Sequence, residues 1–145
     1  MDIKLKKGIG DFTFGMKAED VIAKLGKPDR IYEDEEDENE LIYQYNKSKL
    51  KFTFYQEEDG KLGYIRCANP KLTYQGKPII QAPAEVVIKD VFGAAIKDWQ
   101  EEDYNSFVTY ISESHWLVIN AEYDEVTDIE LGVPVKNEEE YDWAQ

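Results

Sequence analysis

The chain has 145 residues and a mass of 16.9 kDa, which is the size of one compact domain. Hydrophobic residues make up 42% of the sequence and aromatic residues 13%, so a disordered chain is excluded for most of its length. The 17 basic and 31 acidic residues give a net charge of −14, which argues against a binder of nucleic acid or of an anionic membrane. The single cysteine, Cys67, excludes an internal disulfide and a metal cluster held by cysteines.

The acidic excess is concentrated in three windows that contain no Lys or Arg. Residues 33–40 carry seven carboxylates, residues 101–103 carry three and residues 138–142 carry four. Together the windows hold as many acids as the whole net charge, so the rest of the chain is neutral. Runs of like charge usually form solvated loops, but they also attract basic partners from a distance. The sequence leaves both interpretations open.

The first regular element predicted in the chain is a short helix over residues 17–25. Apolar residues recur at the spacing of one helical stripe from Ala18 to Leu25, and Gly26 with Pro28 ends the helix. Segments rich in aromatic and β-branched residues then predict three strands, at 41–45, 50–56 and 62–67. Residues 68–82 contain two prolines and a glycine, which indicates irregular or edge structure.

The same order of elements is predicted a second time. A helix over residues 84–92, with Pro83 in its first turn, is followed by strands at 107–111, 116–123 and 126–131. The two copies have a period near 65 residues. We therefore expect an α+β fold of two tandem helix-plus-three-or-four-strand repeats, residues 1–75 and 76–145, in one compact unit. The sheet should be mainly antiparallel, with the helices on one face.

Alternation along these strands predicts which side chains face the core. Every second residue points to the same face of a strand, which directs one apolar set toward the helices: Phe52, Phe54, Ile65, Cys67, Leu117, Ile119, Ile129 and Leu131. The far face should then carry the alternate residues Lys51, Thr53, Tyr55, Tyr64, Arg66, Trp116, Asn120, Glu122, Asp128 and Glu130. Tyr and Trp are the residues that most often anchor protein interfaces, and here carboxylates accompany them. The far face is therefore the predicted binding surface.

Residues 12–29 carry a resemblance to a known family. Their pattern is an aromatic residue, Gly-Met, a short helix and then Leu-Gly-x-Pro, and the matching positions are Phe12, Gly15, Met16, Val21, Leu25, Gly26 and Pro28. This resembles the opening of the repeat in the beta-lactamase inhibitor protein and in small bacterial outer-membrane assembly lipoproteins. The resemblance implies a tandem repeat with a concave sheet surface, which in the inhibitor clamps a protein. The chain departs from both relatives because it lacks cysteine pairs and a lipidation cysteine near its start.

Catalytic and metal-binding chemistry finds little support in the residues. His115 is the only histidine, and Ser112 and Ser114 lie too close to it along the chain for a freely arranged triad. The acidic run at 33–40 lacks the spacing of a calcium loop, and Gly8-Ile-Gly10 is not followed by the residues of a phosphate loop. We expect no catalytic residue, no metal and no cofactor.

The functional prediction is a protein-binding inhibitor, in particular a cytoplasmic bacterial immunity protein that neutralises a basic, nuclease-type toxin by occluding its active site. Nuclease active sites are electropositive, so an acidic inhibitor can imitate the phosphate that they bind. The expected contacts are Tyr55, Tyr64, Trp116, Glu122, Asp128 and Glu130 at the centre, with Asp34, Glu35, Glu36 and Asp37 at the rim. A housekeeping domain that binds proteins or peptides is the alternative, and a carboxylate-based hydrolase is a third. The cytoplasmic location rests on the absence of an apolar run after the N-terminal lysines and of any membrane-length apolar stretch.

Overall fold

The computed structural model describes residues 1–143, most of which belong to β-strands and their connections. The strands of the first half are β1 (Ile3–Lys4), β2 (Gly8–Ile9), β3 (Phe12–Thr13), β4 (Arg30–Glu33), β5 (Glu40–Tyr45), β6 (Leu50–Tyr55) and β7 (Lys61–Cys67). Those of the second half are β8 (Thr73–Tyr74), β9 (Lys77–Pro78), β10 (Trp99–Asp103), β11 (Phe107–Ser112), β12 (Leu117–Glu122) and β13 (Glu125–Gly132). Two short helices, α1 (Ala18–Leu25) and α2 (Ala84–Val86), precede the two main groups of strands.

Eight strands form one antiparallel sheet in the order β10-β11-β12-β13-β7-β6-β5-β4. Hairpins connect the strands on each side, and the pairing of β7 with β13 joins the two sides. In that central pairing Ile129 lies opposite Cys67 and Leu131 opposite Ile65, and all four side chains are buried. The boundary predicted after residue 75 falls in the turn between β8 and β9, and the two units that it separates stay a prediction.

The predicted α+β fold of two helix-plus-strand repeats, with helices on one face, is wrong. The chain is 43% strand and 13% helix, so it has a β-rich fold, with two short helices among the described residues. The periodicity of residues 17–25 supports two helical turns, and only Val21 of α1 is fully buried. The second predicted helix divides into the three residues of α2 and a π-helical segment, Val87–Val91. Helices this short cannot cover an eight-stranded sheet.

Short strands and loops supply the missing cover over the buried side of the sheet, here called the inner face. The antiparallel strands β1, β2 and β3 bury Ile3, Ile9 and Phe12, and the ring of Phe12 lies 4.8 Å from that of Phe52. On the other side of the molecule, Tyr74 stacks on Phe92 with 4.6 Å between the ring centroids. The core therefore lies between the sheet and an irregular layer.

The predicted core side chains are buried, with one partial exception. Phe52, Phe54, Leu117 and Ile119 are at most 1% exposed, whereas Leu25, at the end of the apolar stripe of the first predicted helix, is only partly buried against the core. On the opposite, outer face, Thr53 is buried as well, because it lies between its strand neighbours Ile42 and Tyr64. Neither helix in the described part of the chain has the length and apolar character needed to cross a bilayer.

Candidate protein-binding surface

A connected set of polar side chains lies on the outer face at the centre of the sheet. The strand register places Asn120 opposite Asp128, and Glu130 opposite Arg66. The side-chain amide of Asn120 donates hydrogen bonds to Asp128 Oδ2 at 3.0 Å and to Glu130 Oε2 at 2.8 Å. Arg66 Nε lies 2.9 Å from Asp128 Oδ2, and the hydroxyl of Tyr64 donates to Glu130. Five residues from three strands thus form one hydrogen-bonded network.

The two carboxylates of this network have different surroundings. Asp128 faces the guanidinium of Arg66 and also accepts a hydrogen bond of 2.9 Å from Thr127 Oγ1. Glu130 accepts hydrogen bonds from neutral groups, and burial raises its pKa above the usual range because it disfavours the charged form. Both carboxylates are therefore held by neighbouring side chains and form a fixed polar floor for the outer face.

Beside this floor, the outer face forms an open groove of about 440 Å³, here called the acidic groove. It is lined by Tyr32, Asp34, Glu35, Glu36, Glu40, Ile42, Lys51, Thr53, Tyr64 and Arg66. Four carboxylates come from one segment, the end of the β4–β5 hairpin, while the two cations come from β6 and β7. The groove thus combines aromatic side chains with charges of both signs, and carboxylates predominate.

The acidic loop between β4 and β5 is held in place by its own hydrogen bonds. Asp34 Oδ1 accepts a hydrogen bond of 2.9 Å from the amide of Glu36, and Asp37 Oδ1 accepts one of 2.9 Å from the amide of Asn39. The Asp34 amide donates to the Glu40 carbonyl at 2.9 Å and closes the hairpin. Asn39 also reaches Glu57 Oε1 at 2.9 Å. The loop therefore presents its carboxylates from a defined backbone.

Repulsion inside this loop is visible at Glu40. The pKa of Glu40 is raised, first because the carboxyl is partly buried and then because Asp37 and Asp34 lie nearby. A cation placed in the acidic groove would relieve this repulsion between like charges.

The structure brings together most of the predicted contact residues. Tyr64, Asp34, Glu35 and Glu36 line the acidic groove, and Asp128 and Glu130 belong to the adjoining network. Trp116 and Tyr64 both border Gly132. A Cβ atom at Gly132 would lie 3.7 Å from Trp116 Cβ and 3.8 Å from Tyr64 Cδ2, so the two aromatic side chains lie near each other. The side chain of Trp116 is 45% exposed.

Three predicted contact residues lie elsewhere. Tyr55 packs against Tyr141 and Trp143, with ring centroids 5.2 and 6.5 Å away, so the C-terminal segment covers it. Asp37 belongs to the acidic loop but does not line the groove. Glu122 is exposed at the far end of β12, beside a different depression.

The sequence did not predict that Tyr32 of β4 and the cations Lys51 and Arg66 line one groove. Tyr32 lies on β4, whose four residues were too short a pattern to predict a strand. Lys51 and Arg66 were assigned to the outer face by alternation, but nothing in the sequence placed them beside the acidic loop. The outward direction of alternate residues on 50–56 and 62–67 was the one signal available for them.

A second polar cluster joins Ser112, Ser114, His115 and Asp98. Ser112 Oγ donates to Asp98 Oδ1 at 2.7 Å, and both serine hydroxyls lie within 3.1 Å of His115 Nδ1. Hydrogen bonds from Ser112 and Ser114 lower the pKa of Asp98 to about 2. A catalytic triad needs the acid and the nucleophile on opposite ring nitrogens, whereas here Nδ1 meets both serines and Asp98 binds Ser112 directly. The cluster pins β10 to the turn between β11 and β12.

Within residues 1–143, no three or more His, Cys, Asp or Glu side chains are grouped so that they could hold a metal ion. Cys67 is fully buried, and burial raises the pKa of its thiol to about 11.

Several proteins of known structure share this fold. No family model matches the sequence, and no curated protein matches it significantly. Among solved structures, the protein yfeY of Escherichia coli is similar at a TM-score of 0.58 and 17% identity, over 90% of this chain and 99% of that one. An extracellular protein of Bacillus anthracis that contains a SCP domain is similar at 0.56 and 15%, over 90% of this chain and 49% of that one.

A cysteine-rich secretory protein of Staphylococcus aureus is similar at a TM-score of 0.52 and 11% identity, over 90% of this chain and 48% of that one. The chain thus spans about half the length of the Bacillus and Staphylococcus proteins and nearly all of yfeY. The structural similarity shows a shared fold. Because the sequence identities are low, function has to be argued from the site.

Proposed function

We propose that this protein is a protein-binding module that takes a basic partner in the acidic groove and thereby blocks that partner's activity. The observation that carries the proposal is the arrangement of Asp34, Glu35 and Glu36, which a hydrogen-bonded loop holds over a sheet face that carries Tyr32 and Tyr64. Carboxylates beside aromatic rings are the surroundings that a Lys or Arg side chain binds best.

The distribution of charge supports the same function. The window at residues 33–40 holds half of the acids in the three acidic windows, and it lies at the groove. A charge concentration of this kind accelerates encounter with a partner of opposite charge, by an amount that salt reduces. The rigid polar floor next to the groove would then select partners by shape and hydrogen bonding.

Inhibition of a nuclease-type toxin by a cytoplasmic immunity protein is the particular form of this proposal. It accords with the charge, because a phosphate-binding active site is a basic partner of the required kind. The alternative is a housekeeping domain that binds basic peptides of many partners in the same groove. A toxin partner predicts tight binding to one folded protein, whereas a housekeeping domain predicts weak binding to many extended segments.

The test uses a basic probe, because the partner is unidentified. Fluorescein-labelled octalysine is titrated with the full chain, and binding is followed by fluorescence anisotropy at 20 and 150 mM salt. The groove variant carries Asp34→Asn, Glu35→Gln and Glu36→Gln. We expect it to bind octalysine about fivefold or more weakly and with a smaller salt dependence, because three charge contacts are lost.

The matched control carries Glu101→Gln, Glu102→Gln and Asp103→Asn, which remove the same charge from the exposed strand β10. The two triples are also matched in their backbone role, since Asp34 accepts the amide of Glu36 and Asp103 accepts the amide of Asn105 at 2.8 Å. The control should retain binding within twofold. An equal loss in both variants would mean that octalysine responds to net charge alone, and the proposal would be abandoned.

The aromatic neighbours of the groove provide a second measurement. Trp116 lies beside Tyr64, which lines the groove, so Trp116→Ala should weaken octalysine binding about two- to fivefold by removing an aromatic face for a lysine side chain. Tyr123, which is 89% exposed and lies far along β12–β13, is the control position. Tyr123→Ala should leave binding unchanged.

A further inference from the structure

The eight-stranded sheet ends at β4, and the free side of this strand meets no other strand in the described part of the chain. The hydrogen bond from the Asp34 amide to the Glu40 carbonyl shows which residues of β4 direct their backbone groups toward β5. Residues paired by two hydrogen bonds alternate with residues that point their backbone groups outward. Tyr32 therefore bonds to β5, whereas the amides and carbonyls of Ile31 and Glu33 point away from the sheet.

The side chains of β4 leave this edge open. Ile31 is 50% exposed although it is a large apolar residue, and it faces the same side as its strand partner Tyr43. Tyr32 faces the acidic groove, and the guanidinium of Arg30 covers its ring at 4.1 Å. Proteins usually protect an edge strand with inward charges, proline or a bulge. β4 is short and carries the charged residues Arg30 and Glu33, but it has no proline and no irregularity in its pairing with β5.

Charge decides what this edge can accept. The acidic loop continues directly from the end of β4, so a strand added beside β4 would lie next to Asp34, Glu35 and Glu36. A second copy of this chain would bring another net charge of −14 and its own acidic loop to the same edge. A basic strand is instead attracted to Glu33 and to the acidic loop beyond it, against the single cation Arg30.

We infer that β4 is the docking edge for an extended basic segment of the partner, which adds to the sheet as a ninth, antiparallel strand. This inference rests on the proposed function and specifies how the partner binds. The backbone of the segment would pair with the outward groups of Ile31 and Glu33. Its lysines or arginines would reach the acidic groove on one face, and its apolar residues would cover Ile31 on the other.

Strand geometry turns this into a pattern for the bound segment. Residues that lie directly opposite each other in an antiparallel pair share a face, so the residue opposite Ile31 should be apolar. Its neighbours along the segment point to the groove face and should be basic. A segment that alternates basic and β-branched residues fits the edge, whereas a block of basic followed by a block of apolar residues does not.

The experiment measures amide hydrogen exchange by NMR on the full chain, free and saturated with the blocked peptide Lys-Val-Lys-Val-Lys-Val. In the free protein the amides of Ile31 and Glu33 should exchange rapidly. On saturation their exchange should slow by at least about tenfold, because they become hydrogen-bonded. At the opposite edge of the sheet, the Tyr104 amide donates a hydrogen bond to the Phe107 carbonyl. By the same alternation, Glu101 and Asp103 of β10 point their amides away from the sheet. Their exchange should not change.

Two chemical controls separate strand pairing from simple attraction. A valine opposite Ile31 directs its amide toward β4, and a lysine directs its amide to solvent. Methylation of the valine nitrogens should therefore weaken binding at least about tenfold, while methylation of the lysine nitrogens has little effect. The block peptide Lys-Lys-Lys-Val-Val-Val, with the same composition and charge, should also bind more weakly than the alternating peptide.

The outcomes distinguish this inference from the proposed function. If octalysine binds in the acidic groove but the alternating peptide leaves Ile31 and Glu33 unprotected, the edge does not dock a strand and only the inference fails. If no basic probe binds, the proposed function fails together with it. Protection of the Ile31 amide in the free protein, rising with protein concentration, would assign the edge to a second copy and overturn the inference.

An edge variant gives an independent check. Ile31→Pro removes the outward amide without removing a hydrogen bond to β5, whereas Ile31→Thr keeps the amide and the β-branched shape. Binding of the alternating peptide should be lost in the first variant and kept within about threefold in the second. Should Ile31→Pro fail to fold, the methylated peptides still decide the question on the unmodified protein.

Discussion

The two edge strands of the sheet differ in how they meet solvent. β10 presents Glu101, Glu102 and Asp103 in succession, all exposed, and pairs only with β11. β4 presents a half-exposed Ile31, a Tyr32 covered by Arg30 and one carboxylate, Glu33, while Asp34, Glu35 and Glu36 stand beyond the strand in a loop. On β10 three successive carboxylates lie where an incoming strand would pair, whereas at β4 only Glu33 does and Asp34, Glu35 and Glu36 lie beside that position.

This difference shows that an acidic run can serve opposite purposes within one sheet. Placed on the strand itself, like charges repel another edge and prevent aggregation. Placed on a structured loop next to an open edge, they favour a basic strand over a neutral or acidic one. Composition alone assigns the same meaning to residues 33–40 and 101–103, and only their position relative to the backbone edge separates them.

The largest expected effect tests whether the two edges belong to one folding unit. Phe54 on β6 and Ile119 on β12 are both fully buried, on the two sides of the central β7–β13 pairing. Phe54→Ala should cost about 3–5 kcal/mol and Ile119→Ala about 2–5 kcal/mol of unfolding free energy. Urea denaturation followed by circular dichroism and by tryptophan fluorescence should show one shared transition. Two separate transitions would mean that the sheet consists of independent halves and that its edges cannot be compared as parts of one body.

A smaller effect concerns the packing of Tyr55 in the half of the sheet that ends at β4. A Cβ atom at Gly63 would lie 2.1 Å from the ring of Tyr55, which the C-terminal residues Tyr141 and Trp143 hold in place. Gly63→Ala should therefore destabilise the fold by about 1–3 kcal/mol through overpacking. Gly132→Ala is the matched control, because its Cβ would make ordinary contacts at 3.7 Å. A thermal midpoint that falls equally in both variants would contradict the packing described for Tyr55.

Removing the carboxylates from β10 should make this edge as open to strand pairing as β4. Substitution of Glu101, Glu102 and Asp103 by Thr leaves an uncharged strand with high β-propensity at a free edge. We expect a concentration-dependent increase in the fraction of dimer, measured by size-exclusion chromatography with light scattering. Substitution of Glu138, Glu139 and Glu140 by Thr removes the same charge from a segment outside the eight-stranded sheet and should leave the protein monomeric. Association in both variants would show that net charge, and not edge protection, prevents self-pairing.

The smallest expected effect is local to the start of β10. The pKa of Asp98 is lowered to about 2 by hydrogen bonds, of which that from Ser112 is the largest contribution. Ser112→Ala should raise this pKa toward the ordinary value of about 4, as measured by NMR titration of the carboxyl group. Because the pKa is lower in the folded state, the stabilisation from Asp98 is present above pH about 4 and is lost as the pH falls from about 4 to about 2. An unchanged titration in the variant would contradict the hydrogen bond from Ser112.

The sequence predicted much of the sheet and little of its surroundings. Six of the eight strands of the main sheet were predicted within a few residues, because alternating or aromatic-rich segments such as 50–56 carry a strong local signal. β4 and β10 were missed, one because it has four residues and the other because three of its five residues are acidic. The predicted helix-based layer was wrong, since tertiary contacts of β1 to β3 and of Phe92 cover the core where the two predicted helices were expected.

The candidate site was predicted as a set of residue types but not as a place. Tyr64 and Glu130 were assigned to the same face, yet their hydrogen bond depends on the pairing of β7 with β13, which no local pattern contains. Tyr55 was assigned to that face too, and the C-terminal segment that covers it could not be inferred from its own strand.

Composition and local pattern by themselves determined the net charge, the three acidic windows, the inward set of strand residues and the outward direction of Tyr64, Arg66, Asp128 and Glu130. Those properties follow from side-chain chemistry and from the two-residue period of a strand, which act over a few neighbours. Tertiary structure alone decided the strand order, the acidic groove and the different exposure of the two edges. The reason is that pairing of β7 with β13 joins residues more than sixty positions apart, and the free energy that selects it comes from burial summed over the whole inner face.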